Sequence, residues 1–217
     1  MKALLRKEMR LTALKLTYIF IAFAFLTLCP GYPILLAVFF ITLGIFQTFQ
    51  SAREANDIVY SALLPVPKTD VVKGKFIFTV FIEMCGFVIM VILTLVRMTV
   101  WKDAVPYVKN ALMNANFVFL AFALLVFGLF NSIFLGGFFK TAYQLGKYFV
   151  IYIVAILFVI GIAESLHHIP GLKAVNAFGF DAIGLQVAAL VIGIVLFAGM
   201  TLISYKKSCN NFDKIDL

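Results

Sequence analysis

The longest uncharged run constrains this chain more than any other feature. No charged residue occurs in the 37 residues from Leu16 to Ala52, which as one continuous helix would extend about 55 Å. Because about 20 helical residues cross a hydrocarbon core about 30 Å thick, the run is long enough to cross twice. The segment Cys29-Pro30-Gly31-Tyr32-Pro33 carries the turn signals needed between two crossings. The sequence therefore predicts membrane helices over residues 14–29 and 34–52.

Four further apolar runs follow, over residues 76–98, 114–139, 148–166 and 183–205. The whole chain is 64% hydrophobic and 13% charged, whereas an average soluble domain is about 45–50% apolar and about 25% charged. This composition excludes a globular enzyme, a secreted disulfide scaffold and a disordered regulator. We therefore predict an all-α integral membrane protein, in which residues 1–217 form one domain of six transmembrane helices surrounded by membrane lipid.

The basic residues are distributed unequally between the two predicted sides of the membrane. Fourteen of the 18 Lys and Arg residues lie on the side of both chain ends, and four lie on the opposite side. Because cytoplasmic segments carry the excess of Lys and Arg, we expect a multi-pass protein of the cell membrane with both termini in the cytoplasm. The net charge of +8 then reflects topology, and nucleic acid is not an expected partner. Residues 1–13 are expected to form a helix at the inner interface.

The connection over residues 53–75 has a structural pattern of its own. Apolar residues recur with helical spacing along one face, and two acids and a serine occupy the other. Pro65 and Pro67 end this helix, and Thr69 is expected to cap the next one. A compact amphipathic helix at the inner face can dock a partner or lie on lipid headgroups. Acids outnumber bases here, which favours the partner, since surface-lying helices prefer Lys and Arg beside anionic lipid. The apolar face consists of Ala55, Ile58, Val59, Ala62 and Leu63.

The motifs of this connection resemble a known family. The run Glu54-x-x-Asp57-x-x-Tyr60-x-x-Leu63-Leu64-Pro65-Val66-Pro67-Lys68, followed by Val71-Val72-Lys73-Gly74-Lys75, is similar to the first inner loop of bacterial type-two ABC exporter permeases. Within that family the chain most resembles the small permeases of phenol-soluble modulin exporters. The resemblance implies a twelve-span dimer, homomeric or heteromeric, and a separate cytoplasmic ATPase that grips the loop as a coupling helix. It also implies export of amphipathic, toxin-type peptides.

The resemblance gives the loop residues specific roles. Ile58, Val59 and Leu63 are expected to insert into a groove on the ATPase, with Glu54 and Asp57 meeting basic residues at its rim. Tyr60 and Leu64 complete the expected coupling set. ATP and magnesium are expected in the partner ATPase, with no cofactor in this chain. Consistent with a non-catalytic subunit, the sequence contains neither a G-x-x-x-x-G-K-[ST] phosphate loop nor an H-E-x-x-H zinc motif.

Glu83 is the clearest ionisable residue inside a predicted span. A central charge costs roughly 2.5–3.5 kcal/mol on insertion scales, so an acid at this depth needs a partner or water. In the structural interpretation, Glu83 is paired or protonated and holds helices together. In the functional interpretation, it lines a cavity and meets a cationic substrate. Lipid exposure is a third reading. Phe46, Phe49 and Gln50 on the second span are candidates for the same cavity, with lipid-facing phenylalanine as the alternative.

Two further patterns, one of small residues and one of polar residues, each allow a functional and a structural interpretation. Gly128, Ser132 and Gly136 recur every fourth residue on span four, which favours close helix packing, with pore lining as the alternative. Glu164, His167 and His168 share a helix face at the outer end of span five. Their spacing could hold a metal, but a polar collar at the water interface is the favoured reading, and no metal site is expected.

Two other classes of function compete with an ATP-driven permease. The first is a self-contained carrier or channel that uses Glu83 as its relay, although such carriers usually contain more intramembrane ionisable residues and internal repeats. The second is a membrane adaptor or immunity protein that recruits a partner through the inner helix. Within the exporter reading, a hydrophobic drug or antibiotic is the alternative cargo.

Overall fold

The computed structural model describes residues 2–63, 65–141, 144–166 and 168–215. Within these ranges the chain is helical, with no strands, which confirms the all-α prediction. In chain order the α-helices are α1 (Lys2–Lys7), α2 (Lys15–Ile21), α3 (Leu36–Glu54), α4 (Asp57–Leu63), α5 (Lys68–Thr99), α6 (Val105–Val108), α7 (Phe117–Leu129), α8 (Gly136–Thr141), α9 (Leu145–Leu166) and α10 (Ile183–Phe212). The π-helical segments are Glu8–Thr12 and Phe130–Leu135, and the 3-10 segments are Ala22–Leu28 and Lys173–Asn176.

Four helical segments of the described chain are long and apolar enough to cross a membrane. They are Lys68–Thr99, Phe117–Thr141, Leu145–Leu166 and Ile183–Phe212, and the bent pair Leu5–Thr12 and Lys15–Leu28 makes a fifth if it is counted as one span. Helix α3 has 19 residues, but its C-terminal part carries two glutamines, an arginine and a glutamate, which lower its mean hydropathy. The protein is thus a membrane protein with four or five such segments, and the count of six remains a prediction.

The N-terminal segment turns sharply before it joins the bundle. Residues Leu5–Thr12 lie at 97° to Lys15–Leu28. The corner is held by α3, because the Leu14 N–H donates to the Thr48 hydroxyl at 3.2 Å and the Thr17 hydroxyl donates to the Gly44 carbonyl at 2.7 Å. The first residues therefore cross the end of the bundle instead of continuing along its axis.

The connection between α3 and α5 consists of a short helix between two breaks. Asn56 adopts a left-handed conformation with φ of 52°, which asparagine tolerates better than most residues, and it separates α3 from α4. Pro67 then takes the position before the first turn of α5, which begins at Lys68. Thr69 therefore lies inside α5, and the expectation that it caps this helix was wrong. The reason is that Pro67 already supplies the extended residue that precedes the first helical turn.

The interior of the bundle is built from α3, α5 and the segment Phe117–Thr141, which we call span four, with α10 packed along α7. Glycines bring these last two helices together: a Cβ on Gly193 would lie 2.8 Å from the Ala121 Cα, and one on Gly128 would lie 3.1 Å from the Met200 sulfur. Gly136 faces Ser204, and the Ser132 hydroxyl donates to the Met200 carbonyl at 3.3 Å. The small-residue stripe of span four thus packs against α10.

Amide side chains close the end of the bundle that is opposite α1. Asn116 caps α7 by accepting the Phe119 N–H at 3.0 Å and donates to the Val175 carbonyl at 3.0 Å. Gln186 accepts the Phe117 N–H and donates to loop carbonyls, while the Asn114 N–H donates to the Asn176 side chain at 2.6 Å. These contacts tie the two loops at this end to each other and to the helices.

Candidate functional site at the basic end of the bundle

Four charged side chains form one cluster where α1, α4 and α5 meet. The Lys75 ammonium lies 2.8 Å from the Asp57 carboxylate and 3.1 Å from that of Glu8. The Lys7 ammonium lies 2.5 Å from Asp57 and 3.3 Å from Glu8, and it also donates to the Ser61 hydroxyl at 2.5 Å. We call this group of two cations and two anions the charge cluster. Its formal charges cancel.

The charge cluster lies inside the protein, next to aromatic rings. Lys75 is only 2% exposed, Glu8 is also buried, and the Lys75 ammonium lies 5.4 Å from the centre of the Phe49 ring. Burial by itself would raise the pKa of the Asp57 carboxyl, but the charges and hydrogen bonds of Lys75 and Lys7 outweigh it and lower that pKa. Asp57 is therefore ionised at neutral pH, as the pairing requires.

The charge cluster fixes the position of α4. A helix of seven residues is too short to be stable in water without tertiary contacts. Its first residue, Asp57, is held by both lysines, and Ile58 is 4% exposed and packs in the core. Thus α4 is attached to α5 through Lys75 and to the N-terminal segment through Lys7.

The predicted coupling residues divide between the interior and the surface. Tyr60 is 62% and Leu63 is 78% exposed, and Glu54 is exposed as well. Ile58 is buried and Val59 is half-buried, so the apolar face that was expected to insert as one surface is split. Ile58 fills the core and Asp57 is ion-paired within the chain, and their expected contact with a partner remains a prediction. Leu64 lies outside the described residues.

A groove of about 410 Å³ follows the inner side of α4. Its lining includes Tyr60 and Pro65, the π-helical residue Leu11, and Ala52 and Ala55. Leu11 is one of the most exposed large apolar residues in the chain. Apolar side chains of α4 and of the N-terminal segment are therefore presented side by side at the same end.

Sequence reasoning missed three members of the charge cluster. Lys7 and Lys75 were counted among the topology-setting bases, and Lys75 also belongs to the family motif, whereas Glu8 was not singled out. One signal was available, since Glu8 is the single acid among the first 53 residues and lies between five bases. Its partners could not be inferred, because Lys75 is 67 residues away in the sequence.

Glu83 lies in the core at mid-depth on α5 and makes one clear contact. It is fully buried, and one carboxyl oxygen accepts from the Asn131 side-chain amide at 3.0 Å. The same amide donates to the Thr201 hydroxyl at 3.1 Å, and Asn131 belongs to the π-helical segment of span four. The second Glu83 oxygen has no hydrogen-bond partner among the described residues. Glu83 therefore joins α5, span four and α10.

The α3 residues proposed with Glu83 pack against aromatic rings or lie at the surface. Phe46 stacks on Phe149 with ring centres 3.8 Å apart, and Phe49 packs edge-on against Phe134 at 5.4 Å. Gln50 is exposed. The two phenylalanines thus belong to the aromatic core beneath the charge cluster.

The outer residues considered for a metal site have other roles where they are described. A Glu164 carboxyl oxygen accepts the Met113 N–H at 2.7 Å, which attaches the C-terminal end of α9 to the segment that precedes α7. His167 lies outside the described residues. Within the described part of the chain, no group of three or more His, Cys, Asp and Glu side chains could hold a metal ion.

Comparison with known proteins connects this architecture to a family. Residues 3–213 match the model of a family described as ABC-2 family transporter protein. None of the curated proteins and none of the solved structures matched the chain.

Proposed function

Since the chain belongs to the ABC-2 family of transporter proteins, we propose that it is the membrane-spanning permease subunit of an ATP-driven exporter for amphipathic peptides. Members of this family are permeases and not ATPases, and the family implies association with an ABC ATPase. In this proposal a separate cytoplasmic chain binds ATP and magnesium and hydrolyses the nucleotide. This chain supplies the path and the contact through which hydrolysis drives transport.

The observation that carries the proposal is the presentation of α4. Two large apolar side chains, Tyr60 and Leu63, are exposed on a short helix whose base is fixed by a buried charge cluster. A surface that is apolar yet rigidly held suits a partner groove, since full burial of such side chains contributes about 1.5–3 kcal/mol each. Leu11 lines the same groove as Tyr60, and Glu54 at the C-terminal end of α3 is exposed as well. We assign α4 as the coupling helix, with these outward residues in place of Ile58 and Asp57.

The proposed topology follows from the charge distribution. The ends of the chain meet at one end of the bundle, where the Lys68 ammonium donates to the Ile215 carbonyl at 2.7 Å and the N-terminal segment contacts Lys75. Fourteen of the 18 basic residues belong to this side, and the positive-inside rule supports a cytoplasmic location for it. With α2 and its 3-10 extension as span one and α3 as span two, the chain crosses six times.

The proposed cargo is suggested by the character of the two ends and the core. In the described part of the outer end, Asn116, Asn114 and Gln186 tie short loops to the helices, which leaves little surface for the binding protein of an importer. The interior is dominated by aromatic and aliphatic side chains, which suits an amphipathic or hydrophobic cargo better than a sugar. A phenol-soluble-modulin-like peptide is our first candidate.

The proposed assembly contains two permease chains and two ATPase chains. Six spans seldom enclose a path for a bulky solute, and the exposed faces of α9 and α10 are apolar over most of their length. Two copies, or this chain and a related one, would form the path between them. A mass measurement of the active complex that gave one permease per functional unit would contradict this arrangement.

The coupling assignment is tested with a matched pair of double variants. In Tyr60→Asp/Leu63→Asp the apolar surface of α4 becomes acidic, whereas Tyr32→Asp/Val105→Asp makes the same kind of change at exposed positions of the opposite end. Losing two apolar contacts should weaken ATPase binding by about 100-fold or more. We expect the first variant to lose co-purification of the ATPase and peptide-stimulated hydrolysis, and the control to retain both.

Either of two results would overturn the assignment. Normal ATPase binding and transport in the α4 variant would remove α4 from coupling, and equal losses in both variants would show that the effect is not specific to the surface of α4. Uptake of the peptide into right-side-out cells, instead of its release, would overturn the direction of transport.

A further inference from the structure

A second groove lies at the same end of the bundle as α1 and α4, on the side that faces the membrane. It runs along α8 between α9 and α10 and has a volume of about 600 Å³, within the range typical of ligand sites. Its lining includes three small residues, Gly136, Gly137 and Ser204, and two isoleucines, Ile151 and Ile203. Both isoleucines are exposed, so the groove opens towards the surroundings of the spans.

Lysines stand at one end of this groove. Lys140 and Lys207 line it together with Asn211, and the Lys147 ammonium lies 5.9 Å from the ring of the groove residue Tyr148. No acid is among the described residues that line the groove, and within the described chain no ion pair involves these three lysines. The groove thus has an apolar body and a cationic mouth.

The dimensions of the groove match one leaflet of a bilayer. From Ser132 to Lys140 the fourth span rises about 12 Å, and from Met200 to Asn211 helix α10 rises about 16 Å. Half of a hydrocarbon core about 30 Å thick is about 15 Å. The lysines therefore stand at the level of the headgroups when the apolar walls stand at the level of the acyl chains.

We propose that this groove binds an anionic phospholipid, with an acyl chain along its apolar lining and the phosphate between Lys140 and Lys207. Charge complementarity selects this occupant, since basic pockets between membrane helices on the cytoplasmic side suit anionic headgroups. An apolar helix of another protein would leave the unpaired lysines beside apolar surface, whereas a lipid satisfies both parts of the groove. The inference does not depend on the proposed transport function.

The headgroup part is tested by native mass spectrometry of the purified full-length chain titrated with phosphatidylglycerol or phosphatidylcholine. In Lys140→Gln/Lys207→Gln we expect the Kd for phosphatidylglycerol to rise about 30-fold, because two charges that attract the anionic headgroup are removed. The Kd for phosphatidylcholine should stay the same. The control Lys109→Gln/Lys173→Gln removes two exposed lysines from the opposite end and should change either Kd less than about threefold. Equal effects of the two double variants would overturn the proposal, as would equal binding of the two lipids to the unmodified chain.

The acyl part is tested by narrowing the groove. Ile203→Trp enlarges a wall residue, and Ile192→Trp makes the same change on an exposed position of α10 outside the groove. We expect only the first to weaken phosphatidylglycerol binding, by about tenfold or more, with both variants monodisperse and fully helical. Unchanged phosphatidylglycerol binding in Ile203→Trp would show that the acyl chain does not occupy the groove and would overturn the proposal. Displacement of the lipid by equimolar inorganic phosphate would show a free-anion site and overturn it too. A monomer–dimer balance shifted by Ile203→Trp without a change in lipid binding would assign the groove to a second copy and overturn it as well.

Discussion

Replacing Lys75 by methionine is the sharpest test of how α4 is held. The substitution keeps the length and much of the volume of the side chain and removes only the ammonium. Glu8 and Asp57 then share the single cation of Lys7, and the charge cluster carries a net negative charge inside the protein. Because α4 has seven residues and depends on these contacts, we expect it to detach before the spans unfold.

The distances set the size of the effect. At an effective dielectric constant of about 20, attraction across the 2.8 Å and 3.1 Å contacts is roughly 6 and 5 kcal/mol. The desolvation cost of the Lys75 ammonium, several kcal/mol, offsets much of this. Removing one partner of a buried pair costs about 3–5 kcal/mol, because the remaining charge is uncompensated. We expect a loss of stability in that range for Lys75→Met.

The assay combines equilibrium unfolding in mixed micelles with hydrogen exchange over residues 57–63. Lys75→Met should lower the free energy of unfolding and abolish amide protection in α4. Lys73→Met is the matched control, since Lys73 is exposed on the same helix, and it should change stability by less than about 0.5 kcal/mol. Asp57→Asn combined with Lys75→Met leaves one Glu8–Lys7 pair and should recover part of the loss. Equal effects of the Lys73 and Lys75 variants, or a double variant as unstable as the sum of both singles, would refute the reasoning.

The remaining predictions concern the helix contacts inside the membrane. Gly128→Leu should destabilise the protein by about 1–3 kcal/mol through overpacking against Met200, whereas Gly199→Leu, which has open space around it, should be neutral in the same thermal unfolding assay. Glu83→Gln keeps an oxygen that can accept from Asn131, so it should change the free energy of unfolding by less than about 1 kcal/mol. Glu83→Leu removes this acceptor from the Asn131 amide and should lower the free energy of unfolding by about 1–3 kcal/mol. If Glu83→Gln selectively abolished the stimulation of ATP hydrolysis by a cationic peptide, Glu83 would be a substrate contact and not a helix tie.

The helical segments themselves could be predicted because hydrophobicity is a local property. Predicted spans 76–98 and 183–205 lie inside the longer helices Lys68–Thr99 and Ile183–Phe212. The differences lie at the ends, where polar residues such as Lys73 and Asn211 continue a helix past the apolar run. Hydropathy marks the part of a helix that lies in lipid, whereas backbone hydrogen bonding continues until a residue such as proline or a turn ends it.

The orientation of α4 could not be predicted from its own pattern. A helical wheel places Ile58 and Leu63 on one apolar face, but Ile58 packs in the core and Leu63 is among the most exposed residues. The deciding contact is Asp57 with Lys75, which are 18 residues apart, and it rotates the helix so that one edge of the apolar face turns inward. Amphipathicity indicates that a short helix has two faces, and tertiary contacts decide which of them is covered.

The polar residues of α5 show how a chain with a largely apolar surface folds into one particular packing of its helices. Lys75, Glu83 and Arg97 lie at successive levels, about 12 and about 21 Å apart along the helix. At the end that carries α4, Lys75 binds Glu8 and Asp57. In the middle of α5, Glu83 accepts from Asn131. Near the other end, an Arg97 guanidinium nitrogen donates to the Thr27 carbonyl at 2.9 Å. Apolar faces attract one another with little preference for partner or register in lipid, whereas these contacts are short and directional. Helix α5 is therefore held to the N-terminal segment at both ends and to span four between them. Since α4 is bound to the same lysine, a force applied to Tyr60 and Leu63 acts on a helix that is anchored through the full thickness of the bundle.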